Sequence, residues 1–258
     1  MGKGLHGKVQ GEGGDVVLLH GLFGQGSNLQ SIARALEGQF RVHSLDLPDH
    51  GKSPWSDAGP SINSYADAVD AWMTAQGIQS AYVLGHSLGG KVAMALALKR
   101  PARIKRLIVA DIAPVTYAPS HQAVFKGLQA VAEAGCATRK AAGLILERYI
   151  DEPNVRQFLL LSLGKEEGAT ALAWRLNHAA LAQAYPLLLA GLSSDTPFEH
   201  PALFIRGALS GYVDDKYLPA TQRLFPNFRL ETLEGVGHWL HAEAPDLFNE
   251  QVLEFFAD

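Results

Sequence analysis

The stretch that decides the fold is AYVLGHSLGGKVAMALAL, residues 81–98. Its apolar start predicts a strand, its end predicts a helix, and Gly85-His86-Ser87-Leu88-Gly89 lies between them. A serine in a Gly-x-Ser-x-Gly turn between a strand and a helix is typical of a nucleophile elbow, where only small residues fit beside the tight turn. The helix N-terminus would also offer N–H donors and a positive dipole end to an oxyanion. The sequence therefore predicts that Ser87 is a nucleophile.

Further apolar runs on either side of this stretch predict the rest of the fold. Mostly uninterrupted apolar runs suit the strands of a parallel sheet that is covered on both faces. The predicted strands are Val16 to Leu19, Phe40 to Leu45, Ala81 to Leu84, Arg106 to Ala110, Ala202 to Ile205 and, more alternating in pattern, Phe228 to Leu233. The predicted helices of this part are Asn28 to Leu36, Ser64 to Ala75, Leu88 to Lys99 and Pro245 to Phe256. The alternation predicts a doubly wound α/β core.

The pattern changes between Ala118 and Thr196, where helical periodicity continues and no convincing strand is seen. The helix-like stretches there are His121 to Glu133, Ala137 to Tyr149, Asn154 to Leu161 and Leu172 to Tyr185. We interpret this part as a helical cap inserted into the core. The predicted organisation is a first core segment at 1–117, a cap at 118–198 and a second core segment at 199–258.

Composition limits the class of protein. The chain has 258 residues, with 22 Lys and Arg against 26 Asp and Glu and a formal net charge of −4. No basic cluster is present, so nucleic acid is not an expected partner. Residues 1–14 lack the apolar core of a signal peptide, and no run approaches the ~18 apolar residues of a membrane span. Together with the single Cys136, which we interpret as a small buried residue, this favours a cytoplasmic protein without a membrane partner. The oligomeric state stays open.

A serine hydroxyl needs a general base, and the base needs an acid that orients it. His238 follows the last predicted strand in the turn Gly235-Val236-Gly237-His238-Trp239, where it can lie over the strand ends. Its position downstream of the elbow fits the chain order Ser, acid, His. We therefore expect His238 to be the base and His241 to be structural.

The third part of such a site is an oxyanion hole, which pairs the N–H after the nucleophile with one from an earlier loop. The first N–H would belong to Leu88. The predicted strand Val16 to Leu19 ends in the turn His20-Gly21-Leu22-Phe23-Gly24. Its spacing favours the N–H of Leu22, with Phe23 as the second choice and His20 as a residue that braces the loop.

Four segments together resemble the α/β-hydrolase fold enzymes over essentially residues 15–258. They are His20 to Gly24, Leu45 to Ser53, Gly85 to Gly89 and Gly237-His238. More narrowly, GHSLGGK at 85–91, DIAPV at 111–115, HPALF at 200–204 and GHWLHAE at 237–243 are similar to the small YbfF-type bacterial carboxylesterases. This resemblance implies hydrolysis of short to medium acyl esters or thioesters by a serine, with no metal or organic cofactor.

The acid of the triad departs from the usual family pattern. Most members carry an Asp in the loop after the strand that corresponds to Ala202–Ile205, where this chain has Ser210. Asp214 and Asp215 lie a few residues further on and are one alternative. Asp111 is the other, because it ends the adjacent strand and because the resemblance points to the Asp of Asp-Ile-Ala-Pro. We favour Asp111, with Ser210 as a second hydrogen-bond partner.

Other polar residues receive simpler interpretations. Asp46 and Asp49 are read as turn residues of a structural loop, with His50 able to line the site. Lys91 is expected to extend to solvent or to pair on the elbow helix. No metal-ligand spacing such as HExxH occurs in the sequence.

The leading hypothesis is a serine esterase that acts on small-molecule acyl esters. A thioesterase or a C–C bond hydrolase would use the same groups. From another class of protein, a ligand-binding receptor on a hydrolase scaffold is the alternative. Dehalogenase or epoxide hydrolase chemistry is disfavoured because it needs an Asp in place of Ser87.

Overall fold

The computed structural model describes residues 4–257, so residues 1–3 and 258 of the predicted core segments lie outside the described residues. The strands are β1 (Gly7–Gln10), β2 (Gly14–Leu19), β3 (Phe40–Leu45), β4 (Ala81–His86), β5 (Ile104–Ala110), β6 (Leu163–Lys165), β7 (Leu172–Trp174), β8 (Ala202–Gly207) and β9 (Phe228–Leu233). The helices are α1 (Gln30–Leu36), α2 (Ile62–Ala75), α3 (Leu88–Lys99), α4 (Gln122–Ala134), α5 (Arg139–Leu146), α6 (Pro153–Leu160), α7 (His178–Gln183), α8 (Tyr185–Leu189), α9 (Leu218–Leu224), α10 (Leu240–Glu243) and α11 (Pro245–Ala257). Within residues 4–257, each helix is too short or too polar to cross a bilayer.

Within the described residues, 4–257, the main sheet has seven strands in the order β1-β3-β2-β4-β5-β8-β9. Every pairing in it is parallel except that of β1 with β3, which is antiparallel. The predicted α/β-hydrolase fold with a mostly parallel sheet is confirmed, and all six predicted core strands are present. β1 was not predicted, because Gly-Lys-Val-Gln contains one apolar side chain and the strand pairs only with β3, at the edge of the sheet.

The two faces of the sheet bury two separate apolar clusters. Along β2, Val17 and Leu19 pack with α2 and α3, whereas Val16 and Leu18 pack with α1 and α11. Successive side chains of a strand point to opposite faces, so an uninterrupted apolar run is what a doubly covered strand requires. The helices of the core cover the two faces of the sheet and leave the carboxyl ends of its parallel strands uncovered.

Residues 118–198, which we call the cap segment, contain α4 to α8 and contribute to the rim above the strand ends. The expectation that this segment contains no strand was wrong. β6 and β7 form a two-stranded antiparallel ribbon, and Leu172–Trp174 lies in it rather than in the first turn of a helix. Strands of three residues are too short to show periodicity, and Trp174 is fixed by a tertiary contact in which its indole N–H donates to the Leu128 carbonyl at 2.9 Å. The boundaries 118–198 stay a prediction.

Lys91 also differs from expectation. Its side chain is buried, and its Nζ donates to the carbonyl oxygens of Val115 at 2.8 Å, Leu189 at 2.8 Å and Ala190 at 2.6 Å. Val115 lies where the chain leaves the core, and Leu189 and Ala190 lie where it returns. Lys91 therefore connects both ends of the cap segment to α3, a long-range arrangement that helical periodicity cannot reveal.

Candidate active site

The strand register brings Ser87 and Asp111 side by side. In the sheet His86 is the partner of Ala110, and Ala110 is the partner of Ile205. The next residue on each of the first two strands is therefore Ser87 and Asp111. Backbone bonds extend this order past the strand ends, since the Ser87 N–H donates to the Ala110 carbonyl at 2.9 Å and the Asp111 N–H to the Ile205 carbonyl at 2.8 Å.

Ser87 lies in a sharp turn between β4 and α3. Its φ of 53° and ψ of −118° lie in a region that few non-glycine residues adopt. The turn depends on its glycines, because a Cβ at Gly85 would lie 2.2 Å from the Gly89 carbonyl and one at Gly89 would lie 2.2 Å from the Leu19 carbonyl. Asp111 also has a positive φ, 50°. Strained backbone of this kind is concentrated at functional sites.

His238 connects the two strand-end residues through its imidazole ring. Its Nε2 is 3.1 Å from Ser87 Oγ, and its Nδ1 is 2.6 Å from Asp111 Oδ2. The side chain of His238 is 26 % exposed, whereas that of Asp111 is fully buried. The structure thus brings together the three residues that the sequence analysis selected for a triad. A base with one nitrogen on a nucleophile and the other on a buried carboxylate can take and return a proton.

Asp111 is held by its neighbours as well as by His238. The Gly207 N–H donates to Asp111 Oδ1 at 3.1 Å, and the Ser210 hydroxyl donates to Asp111 Oδ2. The alternative acids lie elsewhere. Asp214 accepts the Lys216 N–H at 3.0 Å and caps a short turn, and Asp215 is paired with Arg206 at 2.6 Å with its side chain 77 % exposed.

The two loops beside Ser87 leave a pair of N–H groups open. Leu88 is the first residue of α3, so its N–H has no partner within that helix. Among the hydrogen bonds of residues 4–257, none takes the N–H of Leu22, whereas the N–H of Phe23 donates to His50 Nε2 at 3.2 Å. The N–H of Phe23 is thus already engaged, and Leu22 stays the predicted donor.

Two buried histidines hold the loop of Leu22 in place. His20 Nε2 accepts the Leu47 N–H at 3.0 Å, and its Nδ1 donates to the Gly21 carbonyl at 2.8 Å. His50 Nδ1 donates to the Pro48 carbonyl at 2.9 Å. Burial lowers the pKa of His20 to about 3 and also lowers the pKa of His50, which leaves both imidazoles neutral near pH 7. His50 therefore supports the loop and does not line the cleft.

A cleft of about 790 Å³ lies above Ser87 and is shared by the core and the cap segment. The core contributes residues from 20–24, 28–29, 86–87, 238–239 and 241–243, and the cap segment contributes residues from 120–124 and 149–161. Its apolar lining includes Phe23, Val124 and Phe158. A volume in this range fits a small organic ligand.

Several residues of the site carried no sequence signal. The Tyr212 ring lies 4.3 Å from the His238 ring, and Gly207 supplies a donor to Asp111. His121 lines the cleft and is hydrogen bonded to the hydroxyl of Tyr185, and burial lowers the pKa of His121 to about 4. These contacts join residues far apart in the chain, so only the tertiary structure brings them together.

Comparison with known proteins is consistent with this architecture. Residues 16–251 match the model of the alpha/beta hydrolase family. Esterase YbfF of Escherichia coli strain K12 is 38% identical over 246 residues, which are 94% of this chain and 93% of that protein. The sn-1-specific diacylglycerol lipase ABHD11 of Mus musculus is 35% identical over 250 residues, covering 94% of this chain and 80% of that protein. A solved structure, a marine microorganism esterase, superposes with a TM-score of 0.94 at 36% identity and covers 98% of this chain and 99% of its own.

The chain belongs to the α/β-hydrolase family. The predicted resemblance to the YbfF-type carboxylesterases is confirmed, and so is the prediction of a carboxylesterase-type hydrolase.

Proposed function

We propose that this protein is a serine carboxylesterase that cleaves short to medium acyl esters through an acyl-enzyme. Ser87 is the nucleophile, His238 the general base and Asp111 the acid that orients it. The observation that carries the proposal is the continuous hydrogen-bonded chain from Ser87 Oγ to His238 Nε2 at 3.1 Å and from His238 Nδ1 to Asp111 Oδ2 at 2.6 Å.

In the first half of the reaction, Ser87 Oγ attacks the acyl carbonyl while His238 Nε2 takes its proton. The negative oxygen that forms accepts hydrogen bonds from the N–H groups of Leu22 and Leu88, at the N-terminus of α3. Collapse of this intermediate expels the alcohol, to which His238 returns the proton. The acyl group is then bound to Ser87 as an ester.

In the second half, water takes the place of the alcohol as the reaction partner, and the first half runs in the opposite direction with Ser87 as the leaving group. His238 takes a proton from the water as it attacks the acyl-enzyme, and the carboxylic acid leaves as the proton returns to Ser87 Oγ. Asp111 keeps Nδ1 of His238 protonated and stabilises the imidazolium that forms in each half. The Ser210 hydroxyl and the Gly207 N–H hold Asp111 in that orientation.

The cleft supports the range of acyl chains that we propose. About 790 Å³ accommodates a short or medium acyl chain and its alcohol, with aromatic side chains around the acyl group. Among the relatives, YbfF and the marine protein are named esterases. The triad itself would also serve acyl thioesters or a C–C bond cleavage, and the substrate test includes thioesters for the first of these.

The proposed chemistry uses side chains, backbone N–H groups and water, and therefore needs neither a metal nor an organic cofactor. We further propose that the enzyme works in the cytoplasm. Its single cysteine, Cys136, is buried and free, which suits a reducing compartment.

The test is a panel of p-nitrophenyl esters and matched thioesters from two to sixteen carbons, combined with labelling by a fluorophosphonate probe. We expect the highest kcat/KM on the shorter esters and covalent modification of Ser87, located by peptide mass spectrometry. A receptor on a hydrolase scaffold would bind an ester without turnover and leave Ser87 unlabelled. Interfacial activation by emulsified long-chain triglyceride would contradict the proposed chain length.

A further inference from the structure

The candidate base lies on a segment without regular structure. Residues 234–239, between β9 and α10, contain His238 and include Gly235 at φ 72°. The imidazole must nevertheless meet Ser87 and Asp111, which belong to two different strands. Such a segment needs contacts from outside to hold a side chain to within a fraction of an ångström.

The Glu243 carboxylate supplies two of these contacts. Its Oε2 accepts the Gly237 N–H at 2.7 Å, and its Oε1 accepts the Trp239 N–H at 3.1 Å. The two N–H groups flank His238, so one carboxylate bridges the residue before the base and the residue after it. A Cβ at position 237 would lie 3.1 Å from Glu243 Oε1, closer than side chains normally tolerate, so Gly237 leaves room for the carboxylate.

His86 supplies the third contact. Its Nε2 donates to the carbonyl oxygen of His238 at 2.9 Å. Burial lowers the pKa of His86 well below its ordinary value, so the ring is neutral and carries its one proton on Nε2. His86 directly precedes Ser87, and its ring lies 4.8 Å from the ring of His238. The backbone of the base is therefore fixed relative to the elbow itself.

We propose that Glu243 and His86 are positioning residues that hold the main chain of His238, so that its imidazole reaches Ser87 and Asp111 at once. This inference rests on the proposed function and deepens it. Neither residue takes a proton from the substrate. Their contribution is the alignment of the base, in which a shift of 1 Å can cost about 100-fold in rate.

The test uses p-nitrophenyl butyrate hydrolysis by the full chain. Glu243→Ala removes both hydrogen bonds, and we expect kcat to fall about 50-fold with KM within threefold of wild type. Glu243→Gln keeps the shape but has one acceptor oxygen, so kcat should fall about tenfold. His86→Phe keeps a ring without a donor and should also lower kcat about tenfold. Glu250→Gln, which makes the same charge change at an exposed site on α11, should stay within twofold.

A second measurement separates positioning from a general effect on stability. If Glu243 acts only through His238, then Glu243→Ala adds nothing once the imidazole is gone. The residual rate of the double variant His238→Ala/Glu243→Ala should equal that of His238→Ala within twofold. Thermal unfolding monitored by circular dichroism establishes that each variant is folded at the assay temperature. If Glu243→Ala is unfolded there, the kcat of Glu243→Gln and of its double variant with His238→Ala tests the positioning role instead.

The results that would overturn the inference are distinct from those that would overturn the proposed function. A loss caused by a higher KM would assign Glu243 to substrate binding at the rim of the cleft, where its side chain is exposed. An unchanged kcat in folded Glu243→Ala would contradict the positioning role of Glu243. The same would follow if Glu243→Ala lowered the rate of His238→Ala by as much as it lowers the rate of wild type. In each of these cases wild type still hydrolyses the ester. A wild-type protein without ester turnover and without Ser87 labelling would instead reject the proposed function.

Discussion

The core side and the cap side of the cleft are built by different means. On the core side, Ser87 and Asp111 follow directly after hydrogen-bonded strands, and the register of the sheet sets their separation. On the cap side, residues such as Phe158 and His121 come from helices and loops that are held by side-chain packing. Backbone register fixes an atom more tightly than apolar packing does. We therefore expect the core side to carry the proposed chemistry and the cap side to select the substrate.

The largest effect is expected at the core side, from Ser87→Ala. Removing the proposed nucleophile should lower kcat for p-nitrophenyl butyrate by about 10⁶, as in enzymes with an established Ser-His-Asp triad. The far-ultraviolet circular dichroism spectrum should be unchanged, because the hydroxyl faces the cleft. Activity within tenfold of wild type would contradict Ser87 as the nucleophile and, with it, the proposal that the core side of the cleft carries the chemistry.

The next effect distinguishes the strand-end acid from the loop acids. Asp111→Asn should lower kcat by about 10⁴, since an amide no longer keeps Nδ1 of His238 protonated. Asp214→Asn and Asp215→Asn serve as matched controls and should stay within tenfold, because both side chains face solvent. If one of them instead showed the large loss, the acid would come from the loop after β8, as in the usual family pattern.

A smaller effect is expected from the neighbour of the acid. Ser210→Ala removes a hydroxyl that donates to Asp111 Oδ2, and a hydrogen bond to a charged group is worth about 1.5–3 kcal/mol. We expect a loss in kcat of roughly 10-fold to 100-fold. Ser210→Thr retains the hydroxyl and should recover most of the rate. Equal losses in both variants would indicate a packing defect instead of a lost hydrogen bond.

The cap side should respond in KM and not in kcat. Phe158→Ala removes a half-buried ring that lines the cleft and packs on Trp239. We expect KM for the butyrate ester to rise about fivefold, with kcat within twofold, because apolar contact area is lost without moving the triad. Leu144→Ala, at an exposed position of the cap segment outside the cleft, is the control. A selective fall in kcat would show that the cap side takes part in the chemistry.

The last effect concerns the junction between the two sides and is measured in stability, not in rate. Burial lowers the pKa of Lys91 to about 7 from its ordinary value of 10.5. Between these values the unfolded chain keeps a proton that the folded chain loses, so stability should rise with pH. The neutral amine can donate to only two of its three carbonyl partners, which keeps the rise below about 1.4 kcal/mol per pH unit. Urea unfolding at pH 7, 8 and 9 measures this slope.

The variant Lys91→Met should show a correspondingly flatter stability profile, because it lacks the titrating amine. Lys99→Met, on the same helix but at the surface and paired with Asp67, should keep the wild-type slope. Parallel profiles for wild type and Lys91→Met would mean that Lys91 stays protonated in the folded protein across this range.

Predictions that rest on a local sequence pattern agree with the structure, and features that depend on distant contacts or on very short strands were not predicted. Most strands of the parallel sheet are local apolar runs and β9 alternates apolar with polar residues. The elbow and the turn of His238 are local glycine patterns, so all of these features can be predicted along the chain. The strands of the ribbon β6–β7 are neighbours in sequence but have three residues each, too few to show a period. The edge strand β1 depends on β3, a partner distant in sequence, and carries one apolar side chain. Lys91 was misjudged for the same reason, since its three carbonyl partners lie 24 to 99 residues away.

The sequence by itself determined the α/β-hydrolase fold and the choice of Ser87 and His238 as candidate catalytic residues, because a nucleophile elbow needs a particular local pattern of strand, glycine and helix. It reduced the acid to Asp111 or the pair Asp214 and Asp215. Only the tertiary structure set Asp111 at 2.6 Å from His238 and the other two in solvent, because strand register and loop course decide where a carboxylate points. The contacts of Glu243 and His86 with the main chain around His238 likewise depend on the tertiary structure. They are hydrogen bonds to backbone atoms, which no sequence pattern predicts.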